Sequence, residues 1–293
     1  MYCEDAAERR VVVLCQHNIL APVWVTPQYS LLPCAEEFTG EKRIDTTTKY
    51  LRSFDADIYC LCEAEERLLP TLDAAFPNYN RFFSNNEPGF WDEWLEEGEE
   101  RVPNGTCVLV RDDVFSNCEG FTQPLGDGCV CCLVKCVHNV SGNVMLIASV
   151  HFDNGDRKWT EAEVLLSVLE GMQADVKIVS GDYNFTDTSM FVREGYAEYA
   201  RETNTTPLTQ GMIDHTLLLS SNVVSGEASA TGEGEVMQVR GDHVGNVVRD
   251  TVNDICATVR TNGSDHYATV TRMTLRHAAE RRGVSDHKAT KRV

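Results

Sequence analysis

Short apolar runs that end in polar, metal-capable side chains are the feature that most constrains the fold of this chain. Each run has the length of a β-strand, and the polar residues that close them are Asn18 after residues 11–15, Glu63 after 58–62, His151 after 144–150, and Asp182 and Asn184 after 177–180. Strand ends at one edge of a sheet converge, so polar groups placed there can share a site that a core would disfavour. The pattern predicts a β-rich protein with one polar site at a sheet edge.

Two further polar groups stand at the start of apolar runs. Asp214 lies near the start of residues 212–219, and Asp265 with His266 directly precedes the alternating run over residues 267–275. Because a strand can also begin at that edge, we expect these residues to join the same site. Each piece alone is common strand-end or turn chemistry, but the combination predicts an active site.

Hydrophobic periodicity predicts many strands and few helices. It adds strands over residues 106–111 and 130–137 and a helix near residues 46–54. A second helix follows His151, with Thr160 as N-cap, Glu163 completing a capping box, and an apolar stripe at Val164, Leu165, Val168, Leu169 and Met172. Because Ser141-Gly142-Asn143 also indicates a hairpin, we predict an α+β fold of stacked sheets and not a doubly wound parallel sheet.

The chain is long enough for one large domain. Its 293 residues are 42% hydrophobic and 24% charged, as in globular proteins. We predict a single domain over residues 1–275 with insertions near 85–103 and 220–263, followed by a basic tail over 276–293. No run approaches the roughly 18 apolar residues of a membrane helix, and the first ten residues lack the apolar core of a secretory signal. We expect a cytoplasmic or nuclear protein without a membrane partner.

The net charge of −19 argues against a protein that coats nucleic acid non-specifically, because such proteins present a basic face to the phosphates. It is compatible with an enzyme that relies on bound cations or acts on small phosphate esters. Residues 85–101 hold Phe90, Trp91 and Trp94 among seven acidic residues. We expect this insertion to be a lid, a packing surface or a contact for a protein partner, and the basic tail to be the better contact for a polyanion.

Twelve cysteines raise the question of a disulfide or zinc framework. Cys60 and Cys62, like Cys129 and Cys131, are spaced so that both thiols share one face of a strand, where they can hold a metal. His138 is the histidine nearest the second pair in sequence. Because these cysteines lie in apolar runs, we expect buried free thiols in a reducing compartment instead of metal ligands or disulfides.

In chain order, the six polar pieces resemble the motif set of the endonuclease/exonuclease/phosphatase superfamily. They appear here as QHNILA, CLCEAE, SVHFDN, SGDYNF, MIDHTLL and GSDHYATV, and the resemblance extends from about Val11 to Leu275. It implies a four-layer α/β/β/α sandwich of two mostly antiparallel sheets, as in DNase I-like proteins. It also implies a hydrolase of phosphate esters that requires Mg²⁺, for which Mn²⁺ can substitute, because hard cations suit oxygen ligands.

The resemblance implies a role for each matching residue. Glu63 and Asn18 would be metal ligands, with Asp265 near or on the ion. Asp182 would orient and deprotonate the attacking water. Asn184 and His151 would donate hydrogen bonds to the phosphoryl group. His266, oriented by Asp214, would hydrogen-bond a phosphoryl oxygen. His215 is expected to be structural. A second Ser-Asp-His triplet at residues 285–287 leads into the basic tail and not into a strand, so we assign the motif to residues 264–266.

The first motif resembles the deadenylase and nocturnin branch, which implies a 3′-to-5′ exoribonuclease acting on RNA. Leu20 occupies the position at which abasic-site endonucleases carry an aspartate, which argues against an abasic-site endonuclease. The hairpin before His151 and the helix after it also resemble tyrosyl-DNA phosphodiesterases. A nucleotide phosphatase and a catalytically silent binding protein are further alternatives. One departure from the family pattern is Cys62, which stands where a glutamine normally precedes Glu63.

Overall fold

A computed structural model describes residues 11–21, 34, 41–87, 103–199, 213–220, 264, 266 and 268–275, and the structural statements that follow concern these residues. The strands are β1 (Val11–Asn18), β2 (Ile58–Glu65), β3 (Tyr79–Asn85), β4 (Asn104–Arg111), β5 (Phe115–Gly126), β6 (Cys129–His138), β7 (Val144–His151), β8 (Val176–Asp182), β9 (Ala197–Tyr199), β10 (Asp214–Ser220) and β11 (Thr269–Thr274). The helices are α1 (Glu41–Arg52), α2 (Leu69–Ala75), α3 (Arg157–Gly171) and α4 (Ser189–Arg193).

The strands form two sheets. The first has the order β11-β1-β2-β4-β3, and the second has the order β5-β6-β7-β8-β10-β9. Each sheet contains one parallel pair, β1 with β2 and β7 with β8, while its other neighbouring strands are antiparallel. The expectation of two mostly antiparallel sheets is confirmed.

Three apolar clusters separate four layers. Residues such as Leu14, Ile58, Val134 and Ile147 fill the space between the two sheets. Leu51 of α1 and Leu72 of α2 pack on the outer face of the first sheet. Leu165 and Leu169 of α3 and Phe191 of α4 pack on the outer face of the second sheet. The α/β/β/α sandwich is therefore confirmed, and apolar burial on both faces of each sheet holds it together.

The helix α3 begins earlier than the sequence predicts. Its N-cap is Asp156 and not Thr160, which lies within the first turns. Two tertiary contacts account for the earlier start: the Trp159 ring stacks on Phe185 at 4.5 Å, and the buried Glu161 carboxylate accepts the Asp153 N–H at 2.8 Å. These contacts outweigh the local capping preference.

The described cysteines outside position 34 are free thiols, and all of these except the half-buried Cys118 are buried. The prediction of buried free thiols is confirmed for both C-x-C pairs. Burial raises the pKa of the buried thiols, as at Cys60 and Cys131, so these stay protonated and unreactive. Cys34 departs from the prediction because it is disulfide-bonded.

Within the described ranges, no helix combines the length and the apolar character needed to cross a membrane. The predicted insertions beyond residues 87 and 220 and the basic tail lie outside the described residues.

Candidate active site

The two sheets meet in a buried polar cluster at the carboxyl ends of their parallel strands. Asn18 ends β1 of the first sheet, and its Nδ2 donates to Glu63 Oε1 at 2.7 Å and to Asp182 Oδ2 at 3.0 Å. Glu63 lies near the end of β2, while Asp182 ends β8 of the second sheet. One amide therefore holds two carboxylates from opposite sheets side by side.

Glu63 is aimed at this cluster by an irregularity in β2. The pairing of β2 with β4 shifts between Leu61 and Ala64, and Glu63 has a positive φ of 58°. Such bulges redirect a side chain out of the regular alternation, and positive φ at a non-glycine residue costs free energy that functional sites commonly bear. The Ala21 N–H donates to Glu63 Oε2 at 2.8 Å and fixes the second carboxylate oxygen.

Two histidines face the same carboxylate oxygens. His151 Nε2 lies 3.8 Å from both Glu63 Oε1 and Asp182 Oδ2. His266 Nε2 lies 3.8 Å from Asp182 Oδ2. These separations exceed a direct hydrogen bond, so the groups surround a small space instead of closing it.

A buried hydrogen-bonded chain orients His266. His266 Nδ1 lies 2.8 Å from Asp214 Oδ2, and Gln16 Nε2 donates to Asp214 Oδ1 at 2.8 Å. Thr269 Oγ1 in turn donates to Gln16 Oε1 at 3.1 Å. Because a carboxylate accepts and does not donate, Nδ1 carries a hydrogen and Nε2 points toward Asp182. Ser264 ties this segment to β1 by donating from Oγ to the Asn18 carbonyl at 2.6 Å.

The turn after β8 is held by its own polar residues. Asn184 has a positive φ of 54°, and its N–H donates to Asp182 Oδ1 at 2.9 Å. Its Nδ2 donates to the Phe152 carbonyl at 2.8 Å, which leaves one amide hydrogen for another acceptor. Lys158 Nζ donates to the Asn184 carbonyl at 2.9 Å and so links α3 to this turn.

The structure brings together Asn18, Glu63, His151, Asp182, Asn184, Asp214 and His266 of the predicted set. Asp265 lies outside the described residues, as does the second triplet at residues 285–287. His215 points elsewhere, since its Nδ1 lies 2.6 Å from Glu198 Oε1 and its Nε2 lies 2.8 Å from the Phe185 carbonyl. This arrangement agrees with a structural histidine.

Asn18 makes its hydrogen bonds within the cluster. Its Oδ1 accepts the Leu20 N–H at 3.0 Å, and its nitrogen faces the two carboxylates. The backbone donor at Leu20 fixes this orientation of the amide, so Asn18 acts as a hydrogen-bond donor to the acids.

The donor set fits a hard divalent cation. Glu63 and Asp182 are 7% and 2% exposed, and two such buried carboxylates around one point favour a positive partner. Ligand atoms of Asp182, Asp214 and His266 also lie within 4.8 Å of one another. Because His151 Nε2 lies 3.8 Å from both Glu63 Oε1 and Asp182 Oδ2, we regard these two carboxylates as the side chains that border the space between the sheets.

Gln16 and Thr269 are site residues that the sequence analysis missed. Gln16 is two residues before Asn18 on β1, so both side chains face the second sheet, whereas Cys15 faces the outer layer. Gln16 is fully buried. Its spacing of two residues from Asn18 was the available sequence signal, because period-two alternation places both side chains on one face of the strand.

Sequence comparison identifies one family. The model described as "Endonuclease/Exonuclease/phosphatase family" matches residues 36–287. The match begins after Asn18 and runs through the second Ser-Asp-His triplet. Ser264 and His266 of the first triplet contact the cluster at Asn18 and Asp214. No curated protein matches the sequence significantly.

Solved structures share the fold at low sequence identity. The human Nocturnin catalytic domain with a bound sulfate anion is 15% identical at a TM-score of 0.60, covering 89% of this chain and 92% of its own. Humanized TDP2 from D. rerio is 12% identical with a TM-score of 0.56, and the match covers 90% of this chain and 98% of the TDP2 chain. A mannosyl-6-phosphatase from Bacteroides thetaiotaomicron is 17% identical with a TM-score of 0.59, and the match covers 89% of this chain and 98% of the phosphatase chain.

Proposed function

Because this chain belongs to the endonuclease/exonuclease/phosphatase family, whose members are hydrolases acting on phosphate esters, we propose that it is a divalent-metal-dependent phosphodiesterase. One observation carries the proposal: three nitrogen atoms surround Asp182 Oδ2. Asn18 Nδ2 lies 3.0 Å away, and the Nε2 atoms of His151 and His266 each lie 3.8 Å away. A carboxylate among three nitrogen groups, with a second carboxylate beside it, suits a phosphate and a water molecule.

Glu63 would hold Mg²⁺ or Mn²⁺, with Asn18 alongside and Asp265 near or on the ion. The ion, when bound, would neutralise charge on the phosphoryl oxygens. Oxygen ligands of this kind suit both cations.

The side chains supply the remaining chemistry. Asp182 orients a water molecule and accepts its proton, since Oδ1 is fixed by the Asn184 N–H and Oδ2 faces the open space. His266, held by Asp214 through Nδ1, would donate from Nε2 to a phosphoryl oxygen in its charged form, in which both ring nitrogens carry hydrogen. His151 and the remaining amide hydrogen of Asn184 are further donors. Together these groups bind the phosphate in the geometry of attack.

For the substrate, we propose an RNA 3′ end and a 3′-to-5′ exoribonuclease reaction. Support comes from the wording of QHNILA and SGDYNF and from the shared fold with the Nocturnin catalytic domain. Trp159 adds a structural reason, because the residue is 40% exposed, its ring stacks on Phe185, and it stands next to Lys158, which binds the turn at Asn184. Exposed aromatic rings are surfaces on which nucleobases stack.

A 5′-tyrosyl-DNA phosphodiesterase is the second candidate. It is favoured by the β6–β7 hairpin and the helix α3 after His151 and by the fold shared with TDP2. A nucleotide phosphatase and a catalytically silent member of the family are the other candidates.

The test is hydrolysis of a substrate panel by purified protein with Mg²⁺, with Mn²⁺ and with chelator. The panel contains poly(A), mixed RNA, single-stranded DNA, 5′-tyrosyl DNA and a nicotinamide dinucleotide phosphate. We expect metal-dependent shortening of RNA from its 3′ end. Faster turnover of tyrosyl DNA would replace the exoribonuclease proposal by the second candidate. Turnover of none of them would favour a silent family member.

A further inference from the structure

Cys62 departs from the family pattern, and its thiol has two partners in the opposite sheet. The side chain is fully buried. Sγ donates to the Val150 carbonyl at 2.9 Å and accepts the Asp182 N–H at 3.4 Å. A thiol is both a weak donor and a weak acceptor, so one sulfur atom can serve both contacts.

These partners belong to the candidate active site or adjoin it in the chain. Val150 precedes His151 at the end of β7, and Asp182 ends the neighbouring strand β8. Cys62 itself precedes Glu63 on β2 of the other sheet. One side chain therefore connects three backbone segments that each carry a site residue.

The strands β7 and β8 are closely packed where they contact Cys62. Gly181 is opposite Val150 in the β7–β8 register, and a Cβ at Gly181 would lie 1.9 Å from the Val150 oxygen. That oxygen is the same one that accepts the Cys62 thiol. The two strands and the thiol are thus closely packed, and shifting one of them displaces the others.

We propose that Cys62 is a positioning residue whose thiol holds the Asp182 backbone and the end of β7 in register with Glu63. The proposal rests on the proposed function, because the register matters for hydrolysis. It assigns to the thiol a structural link between the two sheets. Displacement of a proton-accepting carboxylate by about 1 Å is enough to lower turnover by orders of magnitude.

Three substitutions at this position separate hydrogen bonding from packing. Cys62→Ala removes both contacts and volume, Cys62→Val retains volume without polar contacts, and Cys62→Ser retains a donor and an acceptor. Cys60→Ala is the matched control, since Cys60 is fully buried two residues earlier on β2 and packs between the sheets. All variants are compared at a temperature at which circular dichroism shows them folded.

We expect Cys62→Ala and Cys62→Val to lower kcat at least about tenfold with KM changed less than about twofold. Cys62→Ser should recover most of kcat, and Cys60→Ala should lose stability but keep kcat. Hydrogen exchange of the Asp182 amide, followed by NMR, should be faster in Cys62→Ala and Cys62→Val than in wild type and Cys62→Ser.

Two results would overturn the inference: kcat and Asp182 exchange that are unchanged in Cys62→Ala and Cys62→Val, or equal losses in Cys60→Ala. Failure of the proposed function looks different, because the wild-type protein itself would then show no metal-dependent turnover. The exchange measurement on the Asp182 amide decides about Cys62 even in that case, because it does not depend on activity.

Discussion

His266 Nδ1 and Asp214 Oδ2 lie 2.8 Å apart although 52 residues separate them in sequence. Asp214 is fully buried and His266 is 8% exposed. The second Asp214 oxygen is held by Gln16, so the carboxylate cannot turn away from the imidazole. The pair holds the imidazole through Nδ1–H and directs Nε2 toward Asp182.

Asp214→Asn should impair catalysis with little loss of substrate affinity. An uncharged asparagine amide cannot stabilise the charged imidazole that donates from both ring nitrogens, so the hydrogen bond from Nε2 to a phosphoryl oxygen would be weakened. We expect kcat to fall by about 100-fold or more and KM to change little, as measured by steady-state hydrolysis. Asp286→Asn, in the second Ser-Asp-His triplet, is the control and should keep full activity. If Asp286→Asn were the damaging change, the assignment of the motif to residues 264–266 would be wrong.

Trp159→Ala should weaken binding of substrates that carry a nucleobase. One face of the indole stacks on Phe185, and the residue is 40% exposed. Loss of one stacked base raises KM by about tenfold, since such stacking contributes roughly 1–3 kcal/mol. A phosphate ester without a base should show no change. Phe121→Ala is the control, because Phe121 is a similarly exposed aromatic residue, at 42%, on the strand β5. Equal effects on substrates with and without a base would contradict the stacking role.

Gly181→Ala should destabilise the fold and lower activity together. The added Cβ would lie 1.9 Å from the Val150 backbone oxygen, so β7 and β8 must separate. We expect a loss of roughly 1–3 kcal/mol in the free energy of unfolding, measured in urea. Gly171→Ala is the matched control, because nothing lies within 4 Å of a Cβ there. That variant should remain within about 0.5 kcal/mol of wild type. Comparable stability of the two variants would show that the close approach at Gly181 is easily relaxed.

His138 should make the fold less stable at mildly acidic pH. Its Nδ1 accepts the Ser141 N–H at 3.2 Å, and burial lowers the pKa of His138 below its ordinary value of 6.5. The unfolded chain therefore binds a proton before the folded protein does, and stability falls as the pH decreases below about 6.5. His138→Gln should reduce this slope, with both proteins followed by urea unfolding between pH 7.5 and 5. Identical slopes would exclude His138 as the cause.

Much of the fold follows from the sequence because its central strands are apolar on both faces. The cores of β1, β2, β7 and β8 lie where the apolar runs predict them, each extended by a few residues. β5 was missed because its residues are mostly exposed and its pairing with β6 shifts at two points, which interrupts the alternation. β3 was missed for a related reason, since most of its residues are only partly buried.

The membership of the site follows from the sequence better than the contacts within it. Polar residues at strand ends were sufficient to predict that Glu63 and Asp182 would lie together. The donor role of Asn18 depends on Leu20, whose positive φ of 52° aims its N–H at the amide oxygen. The orientation of Asp214 depends on Gln16, which comes from a strand distant in sequence. Such details follow from the packing of two sheets, which local periodicity does not encode.

The most direct test of the central claim is the Mg²⁺ dependence of RNA hydrolysis by wild type, Glu63→Gln and Asp182→Asn. The account predicts activity that chelator abolishes and that Mg²⁺ or Mn²⁺ restores. Both substitutions should lower the rate by about 100-fold or more, and Glu63→Gln should also raise the Mg²⁺ concentration needed for half-maximal rate. Hydrolysis that persists in chelator, or a Glu63→Gln variant with wild-type rate and Mg²⁺ requirement, would contradict the account.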